Sequence, residues 1–316
     1  MTDVIRTERL TKHYGDKRVV DCLNLRVEQG QVYGLLGRNG AGKSTTIKML
    51  LGMVQPDSGN VTLLGESVDS LCPETRQRIA YIAEGHPLYN WMTVGQAVRF
   101  ARSFYTQWND TLLEQILDHF ELSRRQKLRR LSHGQRAQVS LALAVAPEPE
   151  LLILDDPTLG LDTVVRRDFL ESLIQIIHRK GRTILFSSHI LGDVERMADR
   201  IGILVDGVLR VDCPTDKFRE SVKKLVLDFS GPAPEDFTCP GLVESWQVGS
   251  QLELVLVGYN EAQRQAVEAL EPRNIEVVEL NLEEAFIEYT RGRRRSLPLF
   301  ASEPSHDQTV GDQGAA

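Results

Sequence analysis

The sequence predicts an α/β fold: a mixed sheet carrying helices, an antiparallel β portion, a helical portion, and a small α+β unit near the C-terminal end. Three observations carry this. A buried apolar run at 31–36 ends in a glycine loop and is followed at once by a helical pattern over 43–51, stopped by Gly52. Two further apolar runs, 151–154 and 183–186, flank a segment in which Val165, Phe169, Leu173 and Ile177 recur every four residues. Strand, helix and strand with that connection make a parallel βαβ unit. Beyond about residue 220 short strand patterns dominate instead.

Taken in order, 19–27 reads as one strand and 31–36 as a second. The stretch 93–146 reads mostly helical, with Val94, Val98, Ala101 and Phe104 on one stripe and Leu112, Leu113, Ile116 and Leu117 on the next. Asp206-Gly207 between two apolar runs is a hairpin signal. Strands follow at 224–229, 242–248 and 251–257, a helix at 261–270, a strand at 275–280 and a last helix at 282–290. From Arg291 onward periodicity vanishes and Ser, Pro, Asp, Gln and Gly dominate, which predicts a disordered tail over 291–316.

Composition bounds the function. With 316 residues, 41% hydrophobic, 26% charged and a net charge of −7, the chain is neither collagen-like, wholly disordered nor a disulfide scaffold. Its length suggests about two domains. No apolar run reaches the roughly 18 residues of a membrane helix, and the first residues lack the apolar stretch of a secretory signal. Cys22, Cys72, Cys213 and Cys239 are far apart, as expected for free thiols in a reducing cytosol. The acidic balance argues against general nucleic-acid binding.

Gly37-Arg38-Asn39-Gly40-Ala41-Gly42-Lys43-Ser44 has the spacing G-x-x-x-x-G-K-[ST], and Thr45 follows. Placed between strand and helix, this is a phosphate cradle of the P-loop NTPase kind. Glycines let backbone N–H groups converge on phosphate oxygens, the helix N-terminus adds positive potential, Lys43 bridges the β- and γ-phosphates, and Ser44 reaches Mg²⁺. The apolar strand ending in Asp155 supplies the carboxylate such sites place beside the metal.

The remaining motifs resemble ATP-binding-cassette (ABC) ATPases. Leu131-Ser132-His133-Gly134-Gln135 is close to the family's LSGGQ signature. Asp155-Asp156-Pro157-Thr158, followed by Leu159-Gly160-Leu161-Asp162, is similar to its Walker B and D-loop pair. His189 in Leu185-Phe186-Ser187-Ser188-His189 resembles the switch histidine, and Tyr14 the aromatic residue that stacks on adenine. The resemblance covers about residues 3–215 with every motif in family order.

It implies an ABC ATPase domain over 3–218 with a helical subdomain at about 88–146, a small α+β domain over 219–290, and ATP and Mg²⁺ as cofactors. Tyr14 would hold adenine, Asn39, the glycines, Ala41, Lys43 and Thr45 the phosphates, and Ser44, Asp155 and Glu84 the metal. Ser132, Gly134, Gln135 and Asp162 would meet the nucleotide of a second cassette in a homodimer. Asp156, His189, Glu84 and Lys43 would perform hydrolysis. The ending Leu282-Glu283-Glu284-Ala285-Phe286-Ile287 resembles ATPase subunits of bacterial type-2 exporters, which implies a separate membrane permease and a peripheral position on the cytoplasmic membrane face. The other reading is a soluble or regulatory ABC ATPase, with slow hydrolysis, acting on a non-transport partner.

Three positions depart from the family pattern. Asp156 stands where Glu is usual, one methylene short for the base. Misplacement by about 1 Å can cost on the order of 100-fold, which predicts slow but real hydrolysis. Glu84, in Tyr81-Ile82-Ala83-Glu84, stands where the Q-loop has Gln; it binds Mg²⁺ or orders water, or it is a solvated loop residue. His133 replaces a signature glycine. The basic run 124–130 reads as a solvated face. The 291–295 basic cluster reads as a helix end. The aromatics of 86–94 resemble the surface that receives a permease's coupling helix, or pack within the subdomain.

Overall fold

The computed structural model describes residues 2–178, 181–234 and 236–291, without the side chains of 176–178 and 291. The predicted tail and the basic cluster from residue 292 lie outside the described residues.

The chain opens with β1 (Asp3–Tyr14), β2 (Lys17–Leu23) and β3 (Arg26–Glu28); β4 (Val32–Gly37) then leads into α1 (Lys43–Leu50). With β5 (Ser58–Leu63) and β6 (Glu66–Ser67), β1 and β2 form an antiparallel sheet in the order β2-β1-β5-β6, with β3 also on β1. The single strand expected over 19–27 is two strands. Cys22 takes a left-handed backbone (φ 46), and Leu25 leaves the ladder to give its N–H to Thr7 Oγ1 at 2.8 Å.

Next come α2 (Pro73–Gln77), β7 (Ile79–Ile82), α3 (Val94–Arg102), α4 (Asp110–His119) and α5 (His133–Val145). Then follow β8 (Leu151–Leu154), α6 (Thr163–His178), β9 (Thr183–Ser188), α7 (Leu191–Met197), β10 (Arg200–Val205) and β11 (Val208–Pro214). These complete a sheet in the order β11-β10-β4-β9-β8-β7, parallel except for the β10–β11 hairpin. Asp206 (φ 49) and Gly207 (φ 82) make the hairpin turn, both left-handed as a two-residue primed turn requires.

Both faces of this sheet are covered, so its strands are apolar throughout. Along β4, Val32 and Leu36 face one core and Tyr33 and Leu35 the other; along β8, Leu152 and Leu154 oppose Leu151 and Ile153 in the same way. Side chains of α3, α4 and α5 fill the first core. Thr93 and Ser132 start α3 and α5 with reciprocal capping boxes to Gln96 and Gln135, pairing backbone donors that a helix start leaves free.

The chain continues through α8 (Thr215–Ser221), β12 (Val222–Asp228), β13 (Leu242–Val248), β14 (Gln251–Val257), α9 (Glu261–Glu268), β15 (Asn274–Val278) and α10 (Leu282–Arg291). Its antiparallel sheet runs β13-β14-β12-β15. Leu282, Ala285, Phe286 and Tyr289 of α10 are buried in the first core, and the Tyr289 ring meets Phe218 of α8 edge-on at 5.6 Å. α10 also packs on α7, the helix that follows His189. Among the described residues no helix is long and apolar enough to cross a membrane.

Candidate functional site

The C-terminal ends of β4, β8 and β9 lie side by side, and the loops leaving them carry the predicted chemistry. After β4 the backbone turns through Gly37, Gly40 (φ 82) and Gly42 (φ 107) into α1. Gly42 has no substitute: a Cβ there would lie 2.6 Å from Val19 O. Lys43 is buried at 6% exposure and donates to Gly37 O at 2.8 Å. Burial lowers its pKa, opposed by Asp156, Asp155 and Glu84. Three carboxylates thus favour the charged form of an ammonium at the start of α1.

Ser44 Oγ donates to Asp155 Oδ1 at 3.0 Å, joining cradle and strand end. Ser187 on β9 donates to the same oxygen at 2.8 Å, and its Oγ accepts the Asp156 N–H at 2.9 Å. One hydroxyl therefore orients both carboxylate residues. Asp156 takes a left-handed φ of 42, and its Oδ1 accepts from His189 Nδ1 at 2.8 Å and from the His189 N–H at 3.2 Å. In the neutral ring, donation from Nδ1 leaves His189 Nε2 as an acceptor.

Asn39, Gly40, Gly42, Lys43, Ser44, Thr45, Glu84, Asp156 and His189 line one cavity of about 310 Å³. Of the other predicted residues, Gly37 and Ala41 shape the loop, Ala41 packing into the second core. Tyr14 is 51% exposed, with Lys12 Nζ 5.7 Å from its ring centre. Ser132, Gly134 and Gln135 start α5 and do not line that cavity; Ser132 and Gln135 cap each other. Asp162 Oδ1 accepts the N–H groups of Val164 and Val165 at 3.1 and 3.0 Å, capping α6.

Sequence reasoning missed several participants. Ser187 carried only the signal of a hydroxyl two residues before His189. Thr158 donates to buried Asp193 of α7 at 2.8 Å. His86 and His133 each reach a backbone carbonyl in the loop after Asp156, at Pro157 and Leu159 respectively. No spacing pattern announces such contacts.

The family model described as ABC transporter matches residues 20–159. Relatives include the ABC transporter ATP-binding protein YtrB of Bacillus subtilis, 30% identical over 92% of this chain and 100% of that protein. The bacitracin transport ATP-binding protein BcrA of Bacillus licheniformis is 35% identical over 71% of this chain and 74% of its own length. The Nod factor export ATP-binding protein I of Burkholderia orbicola is 36% identical over 71% and 75%. Among solved structures, an ATP binding subunit of an ABC transporter matches with TM-score 0.62 and 32% identity, over 69% of this chain and 92% of that one. The dimeric cassette MJ0796 bound to ADP and Pi shares the fold, with TM-score 0.60 at 21% identity over 66% and 98%.

Proposed function

We propose, from the premise that this chain belongs to the ABC transporter family as one of its ATP-binding, ATP-hydrolysing subunits, that it powers export through a separate membrane permease from the cytoplasmic membrane face. The observation that carries the hydrolytic part is the chain of contacts Ser44–Asp155–Ser187–Asp156–His189 around the buried Lys43. It supports reading the loop as a phosphate cradle, Ser44 with Asp155 as a hard-oxygen pair, and Asp156 with His189 as a carboxylate–imidazole pair beside it.

In this reading Lys43 and the loop N–H groups hold the phosphates of ATP and neutralise charge that develops on the transferred group. The Ser44 hydroxyl and Asp155 carboxylate suit Mg²⁺, which takes one or two carboxylates plus phosphate oxygens and supplies charge neutralisation when bound. Glu84 lines the same cavity and joins that donor set. Asp156 accepts a proton from the attacking water, and His189 orients that water through Nε2. Tyr14 offers a ring face to adenine without base-specific hydrogen bonds.

Ser132, Gly134 and Gln135 lie on the outside of the same chain's site. They serve a second cassette, closing two chains around two ATP molecules; hydrolysis reopens them. The permease meets an exposed aromatic ladder. Tyr89 stands 6.1 Å from Trp91 and 5.6 Å from Phe100, and Phe100 lies 5.1 Å from Phe104. Trp91 is 66% exposed and Phe104 60%, beside a groove of about 360 Å³ between β7, α3 and α5. The relatives that transport bacitracin and export Nod factor support the export direction.

The decisive experiment compares wild type with Asp156→Asn in single-turnover ATP hydrolysis. The amide keeps the shape but cannot take a proton, so turnover falls by about 100-fold or more while nucleotide affinity stays. Unchanged turnover removes Asp156 as the base.

A further inference from the structure

The loop from Asp156 to Asp162 leaves β8 through a left-handed residue (φ 42), a backbone region that few non-glycine residues occupy. Ser187 and His189 hold Asp156 itself, and three further side-chain contacts hold the loop that follows. His86 Nε2 donates to Pro157 O at 2.9 Å, Thr158 Oγ1 donates to Asp193 at 2.8 Å, and His133 Nε2 donates to Leu159 O at 2.9 Å. Two of the three are histidines from segments that function places elsewhere.

His86 sits in the tight turn after Glu84, with its N–H on Ala83 O at 3.2 Å, and is 1% exposed. Donation from Nε2 fixes its tautomer, and burial pulls its pKa down to about 4, so the ring is neutral at neutral pH. His133 is the first residue of α5, next to Ser132, and stands exposed on the surface. The two rings meet edge-on, 5.7 Å apart, and left-handed Gly160 lies against the His133 ring. Neither ring lines the cavity that holds Lys43 and Asp156.

We propose that His86 and His133 are positioning residues: by holding Pro157 O and Leu159 O they set the place of Asp156, and so tie the turn after Glu84 and the start of the signature helix to the hydrolytic carboxylate. The proposal rests on the ATPase reading above. A shift of α5 when a second cassette engages Ser132 pulls on Leu159 through one hydrogen bond. A shift of the Glu84 turn pulls on Pro157 through another. Three segments far apart in sequence then move as one unit, with Asp156 at its root.

The test uses the full chain, with single-turnover hydrolysis at saturating MgATP and equilibrium binding of a fluorescent ATP analogue. Glutamine can replace the Nε2 donor; leucine cannot. His133→Leu lowers turnover by on the order of 10- to 100-fold with nucleotide affinity within about twofold, and His133→Gln restores most of it. His86→Leu and His86→Gln follow the same pattern. His133, being exposed, keeps the test open if a buried His86 variant fails to fold. Wild-type turnover in His133→Leu, or equal loss in the leucine and glutamine variants, overturns the proposal. Wild type and Asp156→Asn run alongside: a wild type that does not hydrolyse ATP sinks the ATPase reading itself, whereas an active wild type matched by His133→Leu sinks only the latch.

Discussion

Adding one methyl group at Gly134 tests whether the signature helix must sit where it does. A Cβ at Gly134 would lie 2.6 Å from Val165 Cγ1 of α6, whereas carbons in contact rest at about 3.5–4.0 Å. About 1 Å must therefore be found. A β-branched side chain in a helix has one strongly preferred rotamer, so Val165 gives little and α5 shifts against α6. For stability two terms oppose: alanine gains about 1 kcal/mol over glycine in a helix, and overpacking costs about 1–3 kcal/mol. The net loss lies between about 0 and 2 kcal/mol. At about 2.1 cal/mol/K per residue over 316 residues, that lowers Tm by no more than about 3 °C.

Activity responds far more, because Ser132 at the start of the same helix moves with it. A displacement of about 1 Å at the phosphate contact proposed for Ser132 costs on the order of 100-fold. Gly134→Ala therefore folds nearly as well as wild type but hydrolyses ATP about 100-fold more slowly in single-turnover assays. Val165→Ala in the same chain removes the clashing methyl, leaving only the Val165 Cβ at 3.4 Å, and recovers most of the rate. A Gly134→Ala chain with wild-type turnover, or a double variant as slow as the single one, refutes the reasoning. The second outcome would mean that the methyl acts on the partner's nucleotide and not through α5 and α6.

Two further outcomes follow from the proposed roles. Replacing Trp91 and Phe104 by alanine abolishes co-purification with the proposed membrane permease while nucleotide affinity stays unchanged, since both rings are exposed; retained association moves the docking surface elsewhere. Glu84→Gln raises the Mg²⁺ concentration for half-maximal turnover by about tenfold, and an unchanged Mg²⁺ titration removes Glu84 from the donor set.

The phosphate cradle was legible because its constraints are local. Positive-φ glycines, a strand before and a helix after must be contiguous in the chain, so their spacing survives in the letters. The parallel sheet was legible for a similar reason: strands buried on both faces read as unbroken apolar runs, as in β4, β8 and β9. β1 left no such trace. It is the longest strand, but a register shift between Leu10 and Lys12 breaks its alternation, and charged residues occupy its outer face. The split of 19–27 into β2 and β3 depends on Thr7 taking the Leu25 N–H across 18 residues of sequence, which no local window contains.

From the letters alone one could read the groups proposed for the chemistry: a cradle, a strand-end carboxylate pair, a histidine after a neighbouring strand, and a signature that opens a helix. Only the tertiary structure decided how they act on one another. Ser187 bridges Asp155 and Asp156 because β8 and β9 are parallel neighbours in register, and His86 and His133 grip the loop after Asp156 because β7 and α5 bring their segments to its flanks. The physical reason is directional. A glycine's φ or an apolar period is a property of a short stretch of chain, whereas a hydrogen bond of 2.9 Å between residues 71 positions apart exists only once the sheet has set the distance.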